Sequence, residues 1–162
     1  VIILGGSVWF LTAQDGKEQA RLNKPLDGEK VAIVGQQHVK RGESHPEYNS
    51  NPPTSGYHWG DGTAGPGEKT EEAPDELVLH SMEHGAAVVW YKPDLPSNQI
   101  GQIRNAFNAA SGKKIMVPRK SLDVPFALTS WGQLLKPQSI NESQITEFIN
   151  TNQDRAPERA PI

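Results

Sequence analysis

The apolar run AAVVWY, residues 86–91, is the feature that most constrains the fold of this chain. An uninterrupted apolar run of this length is typical of a strand whose two faces are both covered by other layers of the protein. Such a strand needs neighbouring strands at its edges and helices or loops over its faces. We therefore predict that residues 86–91 form a central strand that is buried on both faces.

Two helices are predicted after this strand. Between residues 97 and 111 the apolar residues recur at helical spacing, with Ser97 placed to cap the first turn and Gly112 to end the last. A second helix is predicted over residues 142–152, where the side chain of Asn141 can cap the first turn. Further strands are predicted at Lys30–Gly35, Lys114–Pro118 and Phe126–Trp131.

The order strand, helix, strand, strand, helix over residues 77–152 predicts an α+β domain with a small mixed sheet and two helices. A thioredoxin-like outline is compatible with this order, although thioredoxin chemistry is excluded because the chain has no cysteine. Residues 42–76 contain eleven Gly or Pro residues, which argues against regular helix or strand there. Because the same stretch carries Tyr48, Tyr57 and Trp59, we predict a long ordered loop that packs on the domain.

The N-terminal stretch VIILGGSVWFLT carries no charge and is followed directly by the polar stretch AQDGKEQARLNK. A membrane-spanning helix needs about 20 apolar residues, so residues 1–12 are interpreted as the distal end of a membrane anchor whose start is missing from the sequence. Residues 13–29 are then a tether, and the rest of the chain lies outside the cytoplasm, on the periplasmic or cell-surface side. A buried N-terminal strand or helix is the alternative.

The charge of the chain argues against nucleic acid as a partner. The net charge is -3 and the sequence pI is about 6.0, whereas phosphate binding needs clustered Lys and Arg. The lack of cysteine also excludes disulfides, cysteine-based metal sites and cysteine nucleophiles. Any metal site is therefore expected to use other side chains, histidine foremost.

Every histidine of the chain lies at or before residue 84, around the Gly/Pro-rich loop and just before the apolar run: His38, His45, His58, His80 and His84. Neutral imidazole is the commonest metal ligand, and histidine clusters without cysteine suit copper, zinc, nickel or iron. A loop that folds back over the end of the central strand would bring several of them together. All five are candidate ligands, with His58 the expected third ligand beside His80 and His84. The alternative is that they hydrogen-bond loop and backbone groups.

The segment HSMEH, residues 80–84, allows two geometries. On a strand, His80, Met82 and His84 would share one face, and a thioether beside imidazoles suits Cu(I). On a helix, His80 and His84 would share a face and Met82 would point elsewhere. Met82 is thus a candidate copper ligand, with core packing as its alternative role. Glu83 is predicted to accept a hydrogen bond that orients one imidazole.

The same segment also spells H-x-x-E-H, the inverted zinc-protease motif, in which both histidines bind zinc and the Glu is the general base. That motif requires a helix, and we expect little room for a long one because Gly85 and the apolar run follow at once. A metal-dependent hydrolase is therefore a less favoured alternative, and no catalytic residue is assigned.

Four segments together resemble the bacterial DUF3105 family: HVKRGESHPEYNSNPPTSGYHW (38–59), LVLHSMEHGAAVVWYKP (77–93), ALTSWG (127–132) and APE (156–158). The family name records that no function was assigned, and the resemblance implies a secreted or membrane-anchored protein. The resemblance covers roughly residues 30–158 and implies one globular domain over residues 30–154. The tail at 155–162, RAPERAPI, is rich in proline and is expected to be irregular. The family pattern often has Leu at the position of Met82. The resemblance therefore gives the histidines and Glu83 more weight as site residues than the thioether.

These observations predict a membrane-anchored, extracytoplasmic domain that binds a transition metal through clustered histidines, with copper favoured over zinc. The first alternative is a non-catalytic accessory subunit that docks on a larger membrane protein complex. The second is a metal-dependent hydrolase of the H-x-x-E-H type. We favour a non-enzymatic role, with the membrane contacted through the N-terminal segment and no nucleic-acid partner.

Overall fold

The computed structural model describes residues 15–162, so the predicted anchor at residues 1–12 lies outside the described residues. The helices are α1 (residues 15–23), α2 (Asp75–Glu83), α3 (Ser97–Ala109) and α4 (Glu142–Asn152). The strands are β1 (Glu29–Lys30), β2 (His38–Val39), β3 (His58–Trp59), β4 (Gly67–Glu68), β5 (Ala87–Tyr91), β6 (Lys114–Pro118), β7 (Phe126–Ser130) and β8 (Gln133–Leu135). Across residues 15–162, none of the helices combines the length and apolarity needed to cross a membrane.

Six strands form one mixed sheet in the order β1-β8-β7-β5-β6-β4. Strand β5 pairs in parallel with β6 and antiparallel with β7, and β6 also pairs in parallel with β4. All five residues of β5 are buried, which confirms the prediction of a central strand covered on both faces. Strands β2 and β3 pair in parallel as a separate two-stranded sheet. The fold is α+β, as predicted.

The two faces of β5 contribute to two different apolar clusters. Ala87, Val89 and Tyr91 pack with the apolar residues of α3 and α4. The alternate residues Val88 and Trp90 pack with the apolar residues of α2. This alternation follows from the two-residue period of a strand. Helix α2 therefore lies on the sheet face opposite to α3 and α4, together with the Gly/Pro-rich loop.

The Gly/Pro-rich loop packs on the domain, as predicted, but residues 42–76 also contain the two-residue strands β3 and β4 and the first residues of helix α2. Residues 52–56, the segment PPTSG, are all buried, and the hydroxyl of Tyr48 donates to the carbonyl oxygen of Tyr57 at 2.9 Å. The backbone N–H of Gly132, in the turn after β7, donates to the carbonyl oxygen of Thr54. The loop is thereby fixed against the sheet face on which α2 lies.

Several predicted elements have the expected bounds. The strand Lys114–Pro118 is observed as predicted, and the third strand ends one residue early, at Ser130. Helix α4 begins at Glu142, and the side chain of Asn141 accepts a hydrogen bond in its first turn as expected. Ser97 is not the N-cap of α3, however, because Pro96 occupies that position and no side chain caps the helix.

The strand predicted over Lys30–Gly35 was wrong beyond its first residue. Only Lys30 of this segment belongs to β1. After Val31, whose N–H donates to Gly132, the chain leaves the sheet and bonds to the packed loop instead. There the N–H of Val34 donates to the hydroxyl oxygen of Ser55, and the carbonyl oxygen of Gly35 accepts from Gly56.

Helix α2 and strand β8 were not predicted as elements, and neither were the shorter elements α1, β2, β3 and β4. Helix α2 begins after Pro74, and its first turn carries Asp75 and Glu76, two acidic residues that a helix N-terminus stabilises. Its apolar residues Val78, Leu79 and Met82 are fully buried. The helix continues to Glu83, so the helical alternative for the segment HSMEH is the observed one.

Candidate metal centre

Three separate segments bring histidines to one place on the α2 face of the sheet. The last turn of α2 carries His80 and Glu83. Strand β3 carries His58, and the parallel pairing of β2 with β3 sets His38 directly opposite His58. Since residues opposite each other on paired strands lie side by side, this two-residue pairing places two imidazoles next to each other.

His38, His58, His80 and Glu83, here called the His–Glu cluster, each offer one ligand atom, and these atoms all lie within 4.8 Å of one another. The ring centroids of His38 and His58 are 4.9 Å apart, and those of His58 and His80 are 5.2 Å apart. His58 is fully buried, and Glu83 and His80 are exposed by only 2% and 6%. The side chain of His38 is 45% exposed. The His–Glu cluster is thus a buried group with one member at the surface.

Backbone carbonyl groups fix the orientation of two of these imidazoles. The Nδ1 atom of His58 lies 2.8 Å from the carbonyl oxygen of Gly56. The Nδ1 atom of His80 lies 2.8 Å from the carbonyl oxygen of Gly62. A carbonyl oxygen only accepts, so Nδ1 carries the proton in both rings. In the neutral form, Nε2 then offers the lone pair, as is usual for metal-binding histidines.

The carboxylate of Glu83 faces two of the imidazoles. Its Oε2 atom lies 2.9 Å from Nε2 of His58 and 3.3 Å from Nε2 of His38. Neutral His58 has only one N–H, which it donates to Gly56, so its Nε2 lone pair would face a carboxylate oxygen. A buried arrangement of two acceptors is costly unless a positive species lies between them, either a proton or a metal ion. The His–Glu cluster therefore has the electrostatics of a cation site.

The pKa of His80 is lowered below its usual value, chiefly because burial disfavours the charged form. Repulsion from the neighbouring imidazoles of His84, His58 and His38 acts in the same direction, and the hydrogen bond to Gly62 opposes it. Burial thus favours the neutral form of His80. Only a neutral imidazole has a lone pair for a metal, so this shift favours metal binding at His80.

His84 lies beside the His–Glu cluster and is not one of its four members. Its ring centroid is 4.5 Å from that of His80, but its Nδ1 lies 2.7 Å from the carbonyl oxygen of Pro161. Its Nε2 lies 3.3 Å from Oε2 of Glu158. Both nitrogens therefore face the C-terminal segment, which holds His84 away from the shared ligand position.

His45 and Met82 also lie apart from the four ligand atoms. The ring nitrogens of His45 lie 2.9 Å from the carbonyl oxygen of Pro46 and 3.4 Å from a carboxylate oxygen of Glu76. Met82 is fully buried in an apolar cluster, where its Sδ atom accepts a hydrogen bond from the hydroxyl of Thr129 at 3.2 Å. Glu83 was predicted only to orient an imidazole. In the structure one of its carboxylate oxygens is itself among the four ligand atoms.

The helix in front of the H-x-x-E-H segment is longer than the sequence suggested, because α2 extends it toward the N-terminus. The geometry nevertheless differs from that of the inverted zinc-protease motif. The ligand atom of His80 lies with those of His38 and His58, and His84 contributes none to this group. Glu83 lies at hydrogen-bonding distance from the imidazoles of His38 and His58. In that motif both histidines bind the zinc ion, and the Glu side chain lies apart from the ligands and contacts a water molecule.

Residues 38–161 match the sequence model of a protein family, DUF3105. The family is described as protein of unknown function. The chain belongs to the DUF3105 family. The DUF3105 match begins at His38, so it spans all four residues of the His–Glu cluster, and it extends through the C-terminal segment that contacts His84. Neither a curated protein nor a solved structure matches the chain.

Proposed function

We propose that this protein binds one divalent transition metal ion through the His–Glu cluster, with zinc favoured over copper. The observation that carries the proposal is the convergence of three imidazoles on a buried carboxylate, with two of the rings oriented by backbone carbonyl groups. In metal-binding histidines the ring nitrogen that does not bind the metal regularly donates a hydrogen bond of this kind. The carboxylate supplies the negative charge that offsets part of the charge of the ion.

The spacing of the ligand atoms supports the proposal. Zinc binds nitrogen and oxygen at about 2.0–2.2 Å, so neighbouring ligand atoms of a tetrahedral site lie about 3.3–3.6 Å apart. The distances from the Glu83 oxygen to the Nε2 atoms of His58 and His38 are 2.9 and 3.3 Å. With every ligand atom within 4.8 Å of the others, side-chain movements on the order of 1 Å are sufficient to complete such a site.

The donor atoms favour zinc over copper. The preference for copper from the sequence depended on Met82, whose thioether would suit Cu(I). In the fold this sulfur accepts a hydrogen bond from Thr129 within the apolar core. Three imidazoles and a carboxylate are ligands that zinc takes readily, and they also suit iron and Cu(II). We therefore propose zinc first and copper second.

A competition titration of the purified protein against a zinc chelator of known strength tests the proposal. The variants are His38→Ala, which changes a half-exposed side chain, and Glu83→Gln, which keeps the shape but removes the charge. We expect each to weaken zinc binding at least about 100-fold. The matched control is His45→Ala, which removes a histidine outside the His–Glu cluster and should leave the affinity unchanged.

The result that would overturn the proposal is a wild-type protein that binds zinc and copper no more tightly than the double variant His38→Ala/Glu83→Gln. Thermal unfolding of each variant without metal checks that the fold is retained. In that event the histidines would only hold the loops together, and the accessory-subunit alternative would replace metal binding.

We further propose that the domain works outside the cytoplasm and is attached to the membrane through the apolar stretch VIILGGSVWFLT. The support is the apolar, uncharged character of residues 1–12, together with the polar stretch that follows. Digestion of intact cells or vesicles by added protease tests the placement. Cleavage from the outside agrees with it, and full protection in intact cells contradicts it.

A further inference from the structure

Only one member of the His–Glu cluster reaches the surface. His58, His80 and Glu83 are buried, whereas the side chain of His38 is 45% exposed. His38 also lines a cavity of about 360 Å³. A ligand from solvent would therefore approach a bound metal ion along the side on which His38 lies.

The walls of this cavity carry two cationic side chains. Arg41 and Lys40 both line it, together with Asp61 and Glu43. The two acidic groups already have partners, since Asp61 accepts from Nε of Arg41 at 2.7 Å and Glu43 accepts from the backbone N–H of Lys40 at 3.1 Å. Within residues 15–162, the ammonium group of Lys40 has no ion-pair partner.

Arg41 is held in place by two contacts. Its guanidinium carbon lies 4.4 Å from the ring centroid of Trp59, and its Nε atom donates to Asp61. Within the described part of the chain, its two terminal nitrogens make no hydrogen bond. A guanidinium that is fixed by an aromatic ring and by one carboxylate has its remaining N–H groups arranged for a planar anion.

We infer that this cavity, here called the Arg41 cavity, binds a small carboxylate that takes an additional position on the metal beside His38. The inference rests on the proposed metal binding. A divalent ion with one carboxylate ligand keeps a net positive charge, and zinc and cobalt accept a fifth ligand. The anion thus meets the positive charge of the ion and the N–H donors of Arg41, whose own charge is paired with Asp61. No bond is made or broken beyond coordination.

The test uses the full chain loaded with Co²⁺, whose visible absorption changes with its coordination. Uptake of cobalt is measured first, and acetate is then added as the probe. In the wild-type protein, we expect added acetate to change the visible spectrum of the bound cobalt until the change saturates at high acetate concentration. In Arg41→Met, the acetate concentration at half saturation should rise at least about tenfold, because a charge-assisted hydrogen bond is lost. The affinity for Co²⁺ should change little.

The matched control is Arg104→Met, which removes an arginine that pairs with Glu68 away from the His–Glu cluster and should leave acetate binding unchanged. A wild-type protein that takes up cobalt but shows no acetate response would overturn the Arg41 cavity and leave metal binding intact. Equal acetate binding by Arg41→Met and wild type would also overturn it. Failure to take up cobalt or zinc at all would instead refute the metal site, and with it this inference.

Discussion

Replacing Gly85 with alanine is expected to lower the free energy of unfolding by about 2–5 kcal/mol. Gly85 follows His84, the C-cap residue of helix α2, and has a φ of 98°, a conformation that costs an L-residue about 1–2 kcal/mol. An added Cβ would also lie 2.8 Å from the Cα atom of Asp154. The Cα atom of Asp154 belongs to the backbone, so it cannot move away by a side-chain rotation. Overpacking of this kind costs typically about 1–3 kcal/mol.

Gly67→Ala is the matched control for this substitution. Gly67 has a similar φ of 92°, but a Cβ there would meet nothing within 4 Å. It should therefore cost only the conformational part, about 1–2 kcal/mol. Urea unfolding followed by tryptophan fluorescence measures both variants, with the slope against urea expected to stay unchanged. If Gly85→Ala costs no more than Gly67→Ala, the close approach of α2 to the C-terminal segment is wrong.

Three further outcomes are expected. Because burial lowers the pKa of His80 below 6.5, the unfolded chain binds more protons at this residue than the folded one. The stability without metal should therefore fall as the pH drops below about 6.5. Urea unfolding at several pH values should show that the free energy of unfolding falls less steeply with decreasing pH in His80→Gln than in the wild-type protein. An equal fall in both would show that His80 does not cause the pH dependence. Val88→Ala removes fully buried methyl groups from β5 and should cost about 1–3 kcal/mol by the same assay, whereas a negligible cost would argue against a central position. Met82→Leu should leave zinc affinity unchanged within about twofold, since this swap nearly conserves volume and the sulfur packs in the core. A large loss in the chelator titration would show that the sulfur binds the metal.

The three central strands of the sheet, β7, β5 and β6, and the helices α3 and α4 could be predicted because their signals are local. The run AAVVWY is apolar throughout, and its burial on both faces follows from that alone. Helix α4 is preceded by Asn141, whose side chain caps it as its residue type suggests. Helix α2 was missed because Gly85 and the apolar run after HSMEH were taken to leave little room for a helix, whereas the helix extends toward the N-terminus to Asp75. Pro74 and the acidic residues after it were the available signal of a helix start.

The candidate site could be predicted in its residues but not in its geometry. The sequence indicated histidines near one strand end, yet His38 and His58 come together through a two-residue parallel pairing that has no local pattern. The carbonyl groups of Gly56 and Gly62, which orient two imidazoles, are likewise set by the path of the loop. His84 was expected as a ligand, but its position depends on the C-terminal segment, which lies more than 70 residues further along the chain (Pro161 is 77 residues away).

X-ray absorption spectroscopy of the zinc-loaded protein tests the central claim most directly, because it reports which atoms surround the ion. We predict one zinc ion per chain, with nitrogen and oxygen neighbours at about 2.0–2.2 Å and multiple scattering from about three imidazole rings. The imidazole signal should fall in His38→Ala and stay unchanged in His45→Ala. A sulfur neighbour, or a spectrum with no imidazole contribution, would contradict binding at His38, His58, His80 and Glu83.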